Sequence, residues 1–346
     1  IAIGSRSLMN SNSFYNIGIG TSALQQSTGQ ANVALGIQAL FTNTTGQANI
    51  AIGYYTLRDN TTGYRNIGIG LHALSNNTTG NYNIAIGDSA AYNNNASRNI
   101  AIGNWAMFAN TTGTINLAIG DSALYDNTSG YKNLVIGNNA LINNTTGFQN
   151  LAIGHNTLKS NVTGFANIAI GDSALSANTS NWNIAIGRVA LLKTTTGDKN
   201  VAIGESALTN NVTGTNNVAI GYGSQLAANT NNKNNTSLGF RSAFNMQGYS
   251  NVVIGADAMG KPAVSYTVNN TVAVGDSVLF NIATGANYNT GLGSKTLYNN
   301  TSGWSNTAIG VRAMYGNTTG TNNVAVGDSA LYNSTGSYGQ VAIGSK

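Results

Sequence analysis

Asn116–Lys132, NLAIGDSALYDNTSGYK, is the unit from which nearly the whole chain is built. The glycine of its AIG, Gly120, has counterparts at residues 4, 20, 36, 53, 70, 87 and 103 before it. They continue at 137, 154, 171 and onward to 344, in steps mostly of 16 or 17 residues. A fixed short period marks a solenoid, whose repeats are too small to bury an apolar face alone and do so by stacking on their neighbours. The residues three and one before the glycine are apolar and mostly branched, as in Leu117 and Ile119 or Ile84 and Ile86. That alternation predicts a strand. Between them stands a small residue (Ala51, Ala85, Ala118, Ala169, Ala202), and four places before the glycine stands Asn, as in Asn66, Asn83, Asn116, Asn133 and Asn150. Thr271 and Gln340 depart from it. Stacked coils would place these amides in a ladder.

After the glycine come two polar residues, then Ala-Leu (Ala123 and Leu124, Ala174 and Leu175), then NTTG or a close variant. Glycine in NTTG suits a tight turn, and Asn and Thr cap turns with their side chains. A period near 17 is too short for helical repeats, and Leu124 has no companion at i+3 or i+7. The expected fold is all-β: a parallel β-roll or β-solenoid of about 20 short coils, mostly of 16–17 residues, running through 1–346 as one continuous body. The repeat is under way at Ile1 and still running near Lys346, so a segment of a longer protein is expected.

From Gly221 to Gly293 the steps become 18, 16, 20 and 18, and GKPAVSYTVNN (260–270) surrounds the only proline, Pro262. Proline lacks an amide donor and is excluded from a doubly paired strand. A projecting loop is therefore expected near 260–270, with Lys261, Tyr266 and Arg241 close by.

Charged residues make up only 7% of the chain, and the 15 Lys and Arg, including Arg58, Arg98, Lys132, Lys159 and Arg188, are scattered singly. A net charge of +5 without a basic stripe does not predict a nucleic-acid partner. No run of 18 apolar residues predicts membrane insertion of this segment, and there is no cysteine for a disulfide or thiolate site. His72 and His155 fall in the variable step of different coils without a nucleophile or acid dictated by spacing. Asp88, Asp121, Asp172, Asp276, Asp328 and Glu205 all follow the anchor glycine and read as turn acids rather than calcium ligands. No enzymatic activity, metal or cofactor is expected.

Aromatic residues recur at two places. Phe41, Phe108, Tyr125, Tyr298, Tyr315 and Tyr332 follow the apolar Leu or Met, while Tyr64, Tyr131, Phe148, Phe165, Trp182 and Trp304 follow the turn. Stacking would gather them into stripes that either pack over the turn of the next coil or serve as platforms for sugar rings or a partner surface. The small central residues suggest a shallow face through which parallel copies associate, and a homotrimer is expected.

NIAIGDSA (83–90) resembles the NSVAIG-type repeats of trimeric autotransporter adhesin heads, and similar repeats in bacteriophage tail fibres and bacterial surface fibres. That resemblance covers essentially the whole chain and implies a left-handed parallel β-roll, three chains associated along their lengths, and attachment to host surfaces. The coil here is longer and carries the added NTTG turn. Ser89, Ser122, Ser173 and Ser329 lie in Asp-Ser-Ala triplets that resemble a short bacterial O-glycosylation acceptor, and Asn43, Asn60, Asn77, Asn110 and Asn317 match N-x-S/T. The expected function is that of a non-enzymatic adhesive or receptor-binding fibre shaft, extracellular, on a cell surface or virion, with surface glycans or a host receptor as partners. The alternative is a purely structural extracellular filament acting as a rigid spacer.

Overall fold

In a computed structural model, which describes residues 1–10, 13–226, 232–260 and 265–345, the residues before each anchor glycine form a strand, mostly of three residues. No helix occurs among the described residues. The coils group into two units, Ile1–Asp172 and Ser173–Lys346. The first runs from β1 (Ala2–Ile3) to β11 (Ile168–Ile170), and its strands pair in parallel with equivalent residues in register, as in Leu117↔Leu134, Ala118↔Val135 and Ile119↔Ile136. The second begins at β12 (Ile184–Ile186) and ends at β23 (Val341–Ile343), and its strands also pair in parallel. Both units are thus parallel β-solenoids, as the period predicts.

The strand ends at the anchor glycine because the backbone there takes a φ that only glycine adopts readily, +128° at Gly120. A methyl built on Gly120 would lie 2.7 Å from the carbonyl carbon and oxygen of Gly137 in the next coil. Two residues later the chain enters the left-handed region at Ser122 (φ 53°) and again at Leu124 (φ 55°), with a third such residue, Lys132 (φ 55°), after the turn. Side-chain-bearing residues resist this region by about 1–2 kcal/mol each. Its use follows from where the amides must point. Ser122 N–H donates to the Asn104 carbonyl of the preceding coil at 2.9 Å, whereas Leu124 and Asp126 donate to Ala140 and Ile142 of the following coil at 3.0 and 2.9 Å. Alternating handedness lets a chain too tightly bent for regular strands satisfy its backbone on both neighbours. Burial offsets the cost: Leu124 and its counterparts Leu24, Leu57, Leu74 and Met107 are fully buried, each worth about 2 kcal/mol.

Two asparagine ladders line the interior. In the first, the Asn133 amide donates to Asn116 Oδ1 at 3.0 Å while Asn116 Nδ2 donates to the Gly130 carbonyl at 2.9 Å, a pattern that recurs in the second unit at Asn289 and Asn306. In the second, the turn asparagine Asn60 bonds Asn43 Oδ1 at 2.7 Å and its own turn carbonyl, Gly63, at 2.9 Å. Thr271 keeps the first ladder's amide contact, donating N–H to Asn251 Oδ1 at 3.0 Å, and Gln340 does the same to Asn323 at 2.8 Å.

The small central residues of the strands, expected from the sequence on a face between parallel copies, lie instead in the interior of their own chain. Ala51, Ala85, Ala118, Ala169 and Ala202 are fully buried within their own chain. A methyl built on Gly68, at the same place, would lie 2.6 Å from Thr56 Cγ2 and 3.5 Å from Leu57 Cδ1, so this row faces the Ala-Leu side of the coil. The interior is too shallow for more than a methyl in most coils. The flanking Ile, Leu and Val residues point outward instead.

The irregular steps lie in the second unit, and the described residues around them keep the parallel register. Between β15 (Thr236–Leu238), β17 (Val252–Ile254) and β19 (Val272–Val274) the parallel register continues, while a separate parallel pair forms from Met246–Gln247 and Tyr266–Thr267. Tyr266, expected on a projecting loop, is buried with Met246, Met259, Val268 and Ile282, and its hydroxyl donates to the Met259 carbonyl. Burial pushes its phenol far above the usual range. Lys261 and Pro262 lie outside the described residues. Arg241 lies over the Phe244 ring at 4.6 Å. Gln225 occupies the place of the repeating leucine with φ 51°, and Ser224, Ser237 and Ser242 replace core alanines, their hydroxyls 2.7 and 3.0 Å apart through Ser224.

Gly120→Ala is expected to lower stability at least as much as Leu124→Ala, whose cavity costs about 2–5 kcal/mol, because it adds a backbone clash to a forbidden φ. Thermal unfolding that left Gly120→Ala at the wild-type midpoint would refute this. Asn116→Asp replaces a buried donor with a carboxyl whose desolvation raises its pKa above the unfolded value of about 3.9. Its stability deficit is expected to be smallest at acidic pH and to grow as pH rises through the raised folded pKa. Denaturant midpoints at pH 4 and pH 7 measure it, and a larger deficit at pH 4 would refute it.

Candidate functional site

The largest candidate surface is the outer face of the strands. In the first unit every residue three or one places before an anchor glycine is Ile, Val or Leu. In the second unit the exceptions are Thr236, Thr290 and Thr307. These side chains are half-buried or exposed, with Ile19, Ile52 and Ile86 each 37% accessible and Leu134 36%. They form two parallel rows, about 7 Å apart along the strand and about 4.8 Å from coil to coil. The apolar area in each unit is on the order of 1,000 Å², above the few hundred Å² usual on a monomer. The sequence carried a signal for this: of two alternating rows, the bulkier cannot fit a coil this narrow.

Three runs of the aromatic residues form stacks, as the period predicts. Tyr92, Phe108 and Tyr125 lie with ring centroids 5.2 Å apart and planes within 10°. Tyr131, Phe148 and Phe165 follow at 4.9 and 4.7 Å, and Phe280, Tyr298, Tyr315 and Tyr332 at 5.4, 5.2 and 5.2 Å. In each run the inner rings have both faces against their neighbours. A sugar stacks on an open ring face, so the runs present edges rather than platforms. Trp182 and Trp304, at 47% and 46% exposure, are more open, and Lys199 Nζ lies over the Trp182 ring at 5.4 Å.

Two of the acids that follow the anchor glycines serve backbone amides. Asp121 Oδ1 accepts from the Asn104 N–H at 3.1 Å and Asp328 Oδ1 from the Val311 N–H at 3.0 Å. Glu205 pairs with Arg188 at 2.6 Å, and Asp172 lies 3.5 Å from His155 Nδ1. His72 lies elsewhere, among the rings of Tyr54, Tyr55 and Tyr92. Among the described residues no three His, Cys, Asp or Glu come together as metal ligands, and no helix is long and apolar enough to cross a membrane.

The candidate N-glycosylation residues are corrected by their burial. Asn43, Asn60, Asn77, Asn110 and Asn317 are at most 1% exposed, and their amide nitrogens donate within the turn ladder. A glycan on any of them would have no room and would remove a buried donor. Ser89, Ser122, Ser173 and Ser329 are half-buried on the outward side, each with φ between 53° and 58°.

No protein-family model matches the chain, and no curated protein matches it. The surfaces themselves therefore carry the functional reading. Peptide N-glycosidase is expected to remove no mass from native material at the five turn asparagines, and Asn60→Ala is expected to cost about 1–3 kcal/mol by stranding its partners. A glycan released from any of the five would overturn the burial argument.

Proposed function

We propose that the chain is a non-enzymatic adhesive or receptor-binding fibre segment, extracellular on a cell surface or virion, that assembles as a parallel homotrimer. The observation that carries the reading is the aliphatic outer face of each unit, uninterrupted in the first. Covering about 1,000 Å² of it is worth on the order of 25 kcal/mol before the cost of association is subtracted. Repetition favours a second copy of the same chain as the cover, because equal periods keep two faces in step along many coils. The resemblance to trimeric adhesin heads supports three copies, now associated through the Ile and Leu rows rather than the small central residues. The variable residues after the anchor glycine and after the turn remain for contact with host or environmental surfaces. The stacked ring faces favour a second reading for those stretches, that of a stiffening spacer with attachment located elsewhere.

Sedimentation of the intact chain is expected to return three times the 35.6 kDa chain mass. Ile86→Glu with Ile119→Glu is expected to shift it toward monomer while the coil stays folded. A monomeric wild-type chain would sink the assembly, and surfaces coated with the protein that gain no adhesion to cells or glycan arrays would favour the spacer.

A further inference from the structure

Two places after the end of the turn, which is glycine except at Ala96, five consecutive coils of the first unit carry Arg65, Tyr82, Arg98, Ile115 and Lys132. All five are exposed and all have φ between 55° and 60° except Arg98, at 62°. Cation and uncharged side chain alternate, so successive cations are two coils, about 10 Å, apart. Three hollows follow the row. One of about 440 Å³ is lined by Thr45, Gln47, Thr62, Tyr64, Arg65 and Tyr82. The next, about 240 Å³, shares Tyr64 and Tyr82 and adds Asn81, Ser97, Arg98 and Ile115. A third, about 340 Å³, runs from Arg98 past Ile115 to Lys132 along the edge of the aliphatic face at Ile100, Leu117 and Leu134.

From this geometry we infer that the row is a groove for a linear acidic polysaccharide, bound through carboxylate or sulfate groups on separated sugars. The inference rests on the adhesive reading for its biological role and names the class of ligand. Four features of the groove select it. First, the cations lack counter-charges: no Asp or Glu occupies this row or the one beside it in the first unit, and among the described residues Arg65, Arg98 and Lys132 form no ion pair. Second, the aromatic corner is preorganised. Arg65 Nη1 donates to the Tyr82 hydroxyl at 2.9 Å, and the Tyr64 and Tyr82 rings meet edge to face at 5.2 Å. The other guanidinium donors of Arg65 remain for an anion.

Third, the walls carry hydroxyl and amide groups (Thr62, Gln47, Asn81, Ser97) beside apolar ones, the mixture that a polyhydroxylated ring with C–H faces requires. Fourth, the spacing disfavours two other polyanions. A nucleic-acid strand carries a charge about every 3.4 Å, three times denser than these cations. An extended peptide would gain affinity by strand addition, but the groove's amides are already bonded between coils. Arg65 N–H donates to Gln47 O at 2.9 Å, Tyr82 to Tyr64 at 3.1 Å, Arg98 to Asn81 at 2.9 Å and Lys132 to Thr114 at 3.0 Å.

Binding of the intact chain to polygalacturonate, dextran sulfate, neutral dextran, polyglutamate and single-stranded DNA at moderate salt tests the inference. Two triple variants remove the same charge: Arg65→Gln, Arg98→Gln, Lys132→Gln in the groove, and Lys159→Gln, Lys193→Gln, Arg312→Gln outside it. The wild type is expected to bind at least one acidic polysaccharide and not neutral dextran, the two acidic arms separating carboxylate from sulfate recognition. The groove triple is expected to weaken binding at least about tenfold and the outside triple by no more than about twofold. Tyr82→Ala, which keeps every charge, is expected to weaken binding too, and circular dichroism checks that each variant keeps its β-signal. Equal losses in the two triples, equal binding of neutral dextran, tighter binding of polyglutamate or DNA, or no binding by the folded wild type would each overturn it. The probes are soluble, so a chain that binds them yet adheres to no surface would sink the adhesive reading alone.

Discussion

Backbone lies against backbone at the anchor glycine, where a methyl on Gly120 would come within 2.7 Å of Gly137, and this contact sets the terms for the rest of the structure. It holds successive coils at the spacing of hydrogen-bonded strands, and the same spacing then applies to every other position of the repeat. The ring stacks show it directly, with centroids 4.7 to 5.4 Å apart that follow the coil rise rather than the closest approach of two aromatic faces. The turn glycine repeats the device: a methyl on Gly130 would strike Asn127 Oδ1 and the Gly147 carbonyl, so in the NTTG turns glycine leaves the asparagine ladder its space.

Tight bending explains both the polar interior and the apolar exterior. A coil of about 17 residues encloses, at Ala118, Ala123, Leu124, Asn116 and Asn127, one large apolar side chain, two methyls and two amides. The amides are tolerated because each is bonded to the coils beside it, where an unpaired one would cost about 1–3 kcal/mol. With the inside full, the bulky strand residues have only the outside left. An aliphatic outer face is thus a consequence of coil size as much as a functional choice, and the proposed assembly would cover what a local packing limit leaves outside.

Much of this was legible in the period. Glycine at a constant step, alternation before it and the NTTG turn led to parallel in-register coils, the asparagine ladder and the ring stacks, all because stacking maps each position onto itself. What period alone did not decide was which of two alternating rows faced inward. A small residue such as Ala118 suits either a close neighbour outside or a shallow interior, and only the position of Leu57 opposite Gly68 distinguishes them. Tyr266 was misplaced for a related reason: it was grouped with residues expected to leave the ladder, whereas it is buried with Met246, Val268 and Ile282. The turn asparagines matched an acceptor motif because motif and turn need the same residue types, and burial separates the two.

The basic residues illustrate the same mapping in reverse. Arg65, Arg98 and Lys132 are 33 and 34 residues apart, which along the sequence reads as scatter. Twice the repeat length makes them neighbours but one on a single edge. In a solenoid a charge pattern is therefore read modulo the period: a sparse chain with 7% charged residues can still concentrate like charges on a line, provided that the intervening coils carry uncharged side chains. Tyr82 and Ile115 meet that condition, keeping the cations about 10 Å apart, roughly one Debye length at physiological salt. Their mutual repulsion in the folded coil is thereby small, and the field they present to a polyanion lying along the row is additive.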